Sequence, residues 1–391
     1  MPAEKTTSCA AESPGPTAGS GRYDASMSTK HLAIAALVAA GCNGEAADIE
    51  ATGGSMSTTS DAETTTRGST SSGSDSTSSA ESTGAPPQGW TVVSELGPEL
   101  GMAMSVWGRT AEEALVVGGQ LPSDEGSAGF VLRRTPTGWE PDPLPPGTPM
   151  LHWVGPAGED TWLVGRDGAA LRWEGEAWVS HPSNTEVDLW GIWGGATEDV
   201  WAVGGDGIAD PPTLLHFDGS VWSPSELPAD LPRGSNALFK VWGADPEHVF
   251  IVGDGGVALD GVGPAWNATY SESIAPWIAV RGRSATDVVA VGGRSNARIA
   301  RFDGSTWQDT TLLDPGLNGV WLDSSGRATL VGRLGGIFEL PAGSMEPVTM
   351  SSPTLDLLHA VHGFDDGTRI AVGGTFEGPP PWRGVILEHA G

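Results

Sequence analysis

Seven Val-Gly pairs punctuate the chain: Val117-Gly118, Val164-Gly165, Val203-Gly204, Val252-Gly253, Val291-Gly292, Val331-Gly332 and Val372-Gly373. By subtraction, their glycines stand 47, 39, 49, 39, 40 and 41 residues apart. A self-similar unit of that length cannot bury its apolar face alone and must stack on copies of itself, which restricts the chain to repeat architectures. Each unit reads as four short strands. An apolar strand A ends in Trp-Gly, as in Leu238-Phe-Lys-Val-Trp-Gly243, and a polar turn leads to strand B, as in Val200-Trp-Ala-Val203. Paired glycines then supply positive φ for a tight turn into strand C, as in Leu214-Leu-His-Phe217. An Asp-Gly turn opens strand D on a Trp, in Asp218-Gly-Ser-Val-Trp222 and Asp303-Gly-Ser-Thr-Trp307. Asp-Gly between apolar runs is a hairpin signal, and no unit carries a 3.6-residue period. The expectation is an all-β, seven-bladed β-propeller over residues 89–391.

The ends of the repeat region predict how the ring closes. The seventh unit has strands A (Leu357–Val361), B (Ile370–Val372) and C (Val385–Leu387) but no strand D. A spare strand D, Gly89-Trp-Thr-Val-Val-Ser-Glu-Leu96, precedes the first strand A. A 1+3 arrangement, with this N-terminal strand as the outer strand of the last blade, removes two open sheet edges.

Upstream of the repeats the composition changes. Residues 1–26 read as an upstream extension of the true start, Met27. From Met27 the chain runs MSTKHLAIAALVAAGC: Lys30 is a positive n-region, Leu32–Ala40 a short apolar h-region, and Ala39-Ala40-Gly41 small residues before Cys42. Nine apolar residues are too few for a spanning helix, which needs ~20. Residues 27–42 resemble a lipoprotein signal with a lipobox, which implies lipidation of Cys42 and a membrane anchor through buried acyl chains; Asn43 leans toward outer-membrane sorting. Residues 43–88, Ser/Thr-rich and without apolar periodicity, read as a disordered tether. Cys9 and Cys42 are the only cysteines, so no disulfide staples the repeats.

The repeat W-G-x-x-x-x-D-V-W-A-V-G followed by D-G-x-x-W, carried by Trp193–Gly204 with Asp218–Trp222, resembles that of Trp-rich propeller lipoproteins common in myxobacteria-like soil bacteria. The resemblance covers residues 89–391, of the broad class of WD40, YVTN and kelch repeats, and implies a fold and a cell-surface address but no catalytic residue. The Asp-Gly-x-x-Trp hairpin is also similar to the Asp-box of sialidase-type propellers, although Asp303 directly precedes Gly304 instead of lying two before it.

Function is sought where the copies disagree. Against 49 Asp and Glu the chain has 20 Lys and Arg, and this balance excludes general nucleic-acid binding, since phosphate contacts need cations. The recurring tryptophans are expected between blades as packing. Trp382 stands apart, in a Pro-rich loop that no other unit shares, and with Arg383 is a candidate for stacking on a sugar or partner. The variable B–C loops place Asp124, Asp167, Asp206 and Asp254 on one face as ligand-binding candidates; such carboxylates suit Ca²⁺, although no ligand spacing supports a metal site. The Asp repeated before strand B is expected to cap the amides of its own turn. His359 and His362, three apart on a strand, point to opposite faces and make a poor chelate. The expected function is a monomeric, envelope-anchored, non-enzymatic binding or scaffold module for a protein or glycan. A carbohydrate-active enzyme using paired carboxylates and a structural part of an envelope adhesion complex are the alternatives.

Overall fold

The computed structural model describes residues 89–391 apart from 122–127, 208–210, 233, 263–264, 271–272 and 377. The proposed extension, lipoprotein signal, Cys42 and tether therefore lie outside the described residues, as does Asp124.

Each repeat folds as an antiparallel meander. One unit is Leu238–Asp245, His248–Gly253, Val257–Val262 and Ala265–Tyr270, hydrogen-bonded in that order. Two neighbouring units join into one eight-stranded sheet through a single parallel pair between their inner strands, Gly194 with Ala157. The architecture is an all-β propeller, with strand A innermost in each sheet.

Two features of the repeat follow from close packing. The glycine after strand B is extended, not left-handed: Gly165 and Gly253 have φ of −166° and Gly332 of −171°. This corrects the expected role of these glycines. A Cβ on Gly204, Gly253 or Gly332 would collide with the carbonyl of Asp188, Ala237 or Gly316, just before the inner strand of the same sheet. Positive φ is taken by the second glycine in two units, at Gly205 and Gly293, whereas Gly119 and Gly374 continue their strands. The glycine near the end of strand A, after Trp242, Arg281 or His362, has a different cause. A Cβ on Gly243, Gly282 or Gly363 would fall onto the ring of Trp193, Trp242 or Trp321, each from the preceding unit.

The outer tryptophans pack as expected. Trp162 of one strand B meets Trp222 of the next unit's strand D edge-on, centroids 5.3 Å apart, and Trp201 meets Trp266 at 5.4 Å. Phe250 and Trp307 repeat the relation at 6.3 Å. These perpendicular pairs fill the widening gap between sheets with large apolar surface. At the Asp-Gly turns, Asp218 and Asp303 accept backbone N–H bonds from the residues two and three ahead, at 2.8–2.9 Å.

The N-terminal strand Trp90–Leu96 pairs antiparallel with Gly384–His389 and forms the outer strand of the sheet containing Leu357–Gly363. Its two ends, Trp90 and Leu96, are buried. Arg134 of the first unit grips Glu388 with two bonds of 2.9 Å, and His362 Nε2 lies 3.1 Å from Gly108 O. The first and last units are thus in direct contact.

Candidate functional site

The loop candidates separate once folded. Trp382 is 1% exposed, so it presents no stacking face and the expectation of a displayed indole is corrected. Its ring packs on Phe376 (5.0 Å), and its indole N–H donates to Gly378 O at 2.9 Å. Its backbone exchanges hydrogen bonds of 2.9 and 3.1 Å with the Gln120 amide of the first unit. It fastens the last loop to the first unit. Arg383 is exposed beside it. Asp167 is exposed at φ 53° and its N–H donates to Asp188 Oδ1; Asp206 is half-buried. Burial raises the Asp254 carboxyl, with Arg294 acting against the rise. Among the described residues, no three His, Cys, Asp or Glu side chains converge as a cation set.

The acidic residue before strand B also behaves differently from expectation. Asp160 pairs with Arg172 at 3.0 Å, Asp199 with His216 at 2.8 Å, and Asp287 with Arg301 at 3.0 Å. These are contacts from strand B to strand C, which a reading of the local turn does not reveal. A groove of about 770 Å³ has Pro145, Pro146 and Pro182 in its lining together with Asp167, His181 and Asn184. Its Ser183 hydroxyl is committed to Gly168 O.

The chemistry is concentrated on the inner strands. Aligning them on their partners in strand B gives equivalent positions: Ala103, Leu151, Leu189, Leu238, Trp277, Leu317 and Leu358. Two residues further on stand Ser105, Trp153, Gly191, Lys240, Ala279, Gly319 and Ala360. Five of these are small, so the two large side chains have the space. Lys240 lies against Gly191, where no side chain obstructs it. It donates to Trp190 O at 2.7 Å, and its Nζ sits 4.2 Å over the Trp153 ring, two units away. Arg281, from the unit after Lys240, approaches the same ring at 5.9 Å. Side chains from units that are not neighbours meet in this way only around the propeller axis.

His152 and His359 complete the ring. His152 stacks flat on Trp190 at 3.9 Å, with its Nδ1 3.0 Å from Leu189 O, in contact as a donor if that nitrogen carries the proton. The His359 Nδ1 is buried without a partner among the described residues. His359 and His362 go to different neighbours, Phe376 and Gly108. Behind His152, Arg166 is 3% exposed, and its Nε has no partner among the described residues.

The electrostatics of this ring are those of cations taken from water. Lys240 is 4% exposed, and burial lowers its pKa to about 7, with the Arg281 charge pushing the same way. Burial also lowers Arg281 to about 10. His152 and His359 are brought to about 3, chiefly by burial, and are neutral at pH 7. Among the described residues, neither Lys240 nor Arg281 has a carboxylate partner.

A pH dependence follows for the histidines. Their folded pKa lies below the unfolded value, so their contribution to stability is complete above about pH 6.5 and is lost as pH falls toward 3. Urea midpoints measured from pH 7 to 4 should fall, and His359→Asn should make the fall shallower by about one proton, ~1.4 kcal/mol per pH unit. An unchanged slope would show that His359 does not carry this term.

No protein-family model matches the chain, and no curated protein sequence matches it. Among solved structures it is similar to the WD40 β-propeller domain of Doa1, with a TM-score of 0.56 and 8% identity over 76% of this chain and 97% of that one. YCF48 bound to D1 peptide gives 0.55 and 12% over 77% and 97%. A catalytically inactive virginiamycin B lyase from Staphylococcus aureus with quinupristin gives 0.59 and 10% over 76% and 98%. At these identities the likeness establishes the fold, an all-β propeller.

Proposed function

We propose that this chain is a lipid-anchored envelope protein that presents a seven-bladed propeller as a non-enzymatic binding module for a protein ligand, received over the axis. The observation that carries the reading is Lys240: a buried ammonium without a carboxylate partner among the described residues, on inner strands that are otherwise largely apolar. A charge held out of water lowers stability, and such charges cluster at functional sites. Seven blades are supported by the seven repeats, and ring closure by the pairing of Trp90–Leu96 with Gly384–His389. A protein ligand is supported by the precedent of a similar propeller, YCF48, bound to D1 peptide. The Trp-rich lipoprotein resemblance, with Cys42 as the lipidated residue, supplies the address: the outer membrane or cell surface.

Two measurements test this reading. Mass spectrometry of the mature protein should find a diacylglyceryl-modified N-terminus at Cys42; a mature chain retaining Met1 or Met27 defeats the anchor. Envelope extract passed over the full chain should yield a stoichiometric protein partner that the Lys240→Met variant fails to retain. Retention of the same partner by both moves the site away from the axis, and glycan-array binding without any protein partner replaces the protein ligand with a sugar.

A further inference from the structure

We infer that the axial ring is a carboxylate-binding site, with Lys240 and Arg281 as the paired cations and Trp153 as its floor. The inference rests on the reading that the axis receives the ligand, and it names the group that is read there.

The geometry supplies the donors. Lys240 Nζ has three N–H bonds and uses one on Trp190 O at 2.7 Å. Arg281 has no hydrogen-bond acceptor among the described residues and is half-buried. Both cations lie over one indole, at 4.2 and 5.9 Å from its centroid. Their separation therefore cannot exceed those two distances together. Burial is the main cause of the lowered Lys240 pKa and the Arg281 charge adds to it; that added repulsion is what an anion placed between them would relieve. A planar guanidinium fork with an ammonium beside it suits the two oxygens of a carboxylate.

Charge and space decide between carboxylate and phosphate. The surroundings are acidic: the chain carries a formal charge of −29, and carboxylates such as Asp199 and Asp287 recur before strand B. Lys240 and Arg281 carry at most two positive charges between them, and in such a field a monoanion is favoured over a dianion. A Cβ added at Gly191 or Gly319 would stand 3.0 Å from Lys240 Cα or Ala360 Cα of the next inner strand, so the strands pack closely here and the site suits only a compact planar group.

Binding should weaken as pH rises through about 7, where Lys240 loses its proton. The other groups facing it are Arg281, with a pKa near 10, and His152 and His359, both near 3; Arg166 stands behind His152. None of the three with a shifted pKa titrates in that range.

The test is calorimetric titration of the full chain with sodium acetate at pH 6.5 against sodium chloride of equal ionic strength, repeated with inorganic phosphate. Acetate should bind, and Lys240→Met and Arg281→Met should each weaken it by about tenfold or more. Arg283→Met, which removes an exposed arginine of the same strand paired with Asp287, should leave it unchanged. Circular dichroism confirms that each variant is folded, and Lys240→Gln and Arg281→Gln replace any that is not. Absence of acetate binding, equal binding in the axial variants, or tighter binding of phosphate would overturn the inference. Two tripeptides separate the sources of the group: one with a free C-terminus and no acidic side chain, the other amidated and carrying one Asp. Binding of the first assigns the group to a chain terminus, and binding of the second to an acidic side chain. Acetate binding with neither peptide bound supports the carboxylate site and removes the protein ligand. A partner captured without acetate binding does the reverse.

Discussion

Deleting Trp90–Leu96 from the full chain should cost the repeat domain most of its stability. The segment contributes six register pairs to Gly384–His389 and buries Trp90 and Leu96. Losing a buried Trp alone costs ~3–5 kcal/mol, and whole domains have only ~5–15 kcal/mol in hand. The deletion also exposes the backbone edge of Gly384–His389, which becomes open to pairing with other chains. Urea unfolding should show a midpoint lowered sharply or a transition too broad to be two-state, and size exclusion should show association. An unchanged midpoint would defeat the proposed closure.

Lys240→Met should act in the opposite direction and raise stability. Met fills nearly the same length over Trp153 without an ammonium to dehydrate. Replacing buried charge by apolar groups of similar volume is neutral to stabilising by ~1–4 kcal/mol. The sign can be checked through pH. Lys240 has a folded pKa of about 7, below its ordinary value of 10.5, so folding disfavours its protonated form. The cost is full below about pH 7 and disappears as pH rises toward 10.5. The advantage of Lys240→Met should therefore be largest at and below neutral pH and should shrink at pH 9 to 10. A variant less stable than the wild type at pH 7 would mean that the bond to Trp190 O and the contact with Trp153 outweigh desolvation.

The fold was legible wherever the signal was periodic. Strand boundaries followed from the Trp-Gly, Val-Gly and Asp-Gly marks, because turns and packed glycines recur at fixed offsets in every unit. The partnering of Trp90–Leu96 with the last sheet followed from a seventh unit without a strand D and a spare strand D before the first strand A. What escaped depended on register across strands or between units. The pairing of Asp160 and Asp287 is not visible in their own turns because their partners, Arg172 and Arg301, lie one strand away. Trp382 was read as a displayed ring because nothing local announces Phe376 beneath it or Gln120 of the first unit.

The axial ring escaped for the same reason, yet one signal was present. Lys240 is the only lysine after Lys30, and it interrupts an apolar strand A, Leu238-Phe-Lys-Val-Trp-Gly243. In a chain so rich in acids, a single lysine in an inner strand marks the axis. Its meaning appears only when Trp153 and Arg281, from other units, are brought beside it.

The central claim is that this lysine is kept for a ligand at the expense of the fold. Thermal midpoint and partner retention, measured at pH 7 on the same preparations of wild type and Lys240→Met, test it most directly. The variant is predicted to melt higher than the wild type and to lose the envelope partner. A variant that melts lower, or that melts higher and retains the partner undiminished, would contradict the claim.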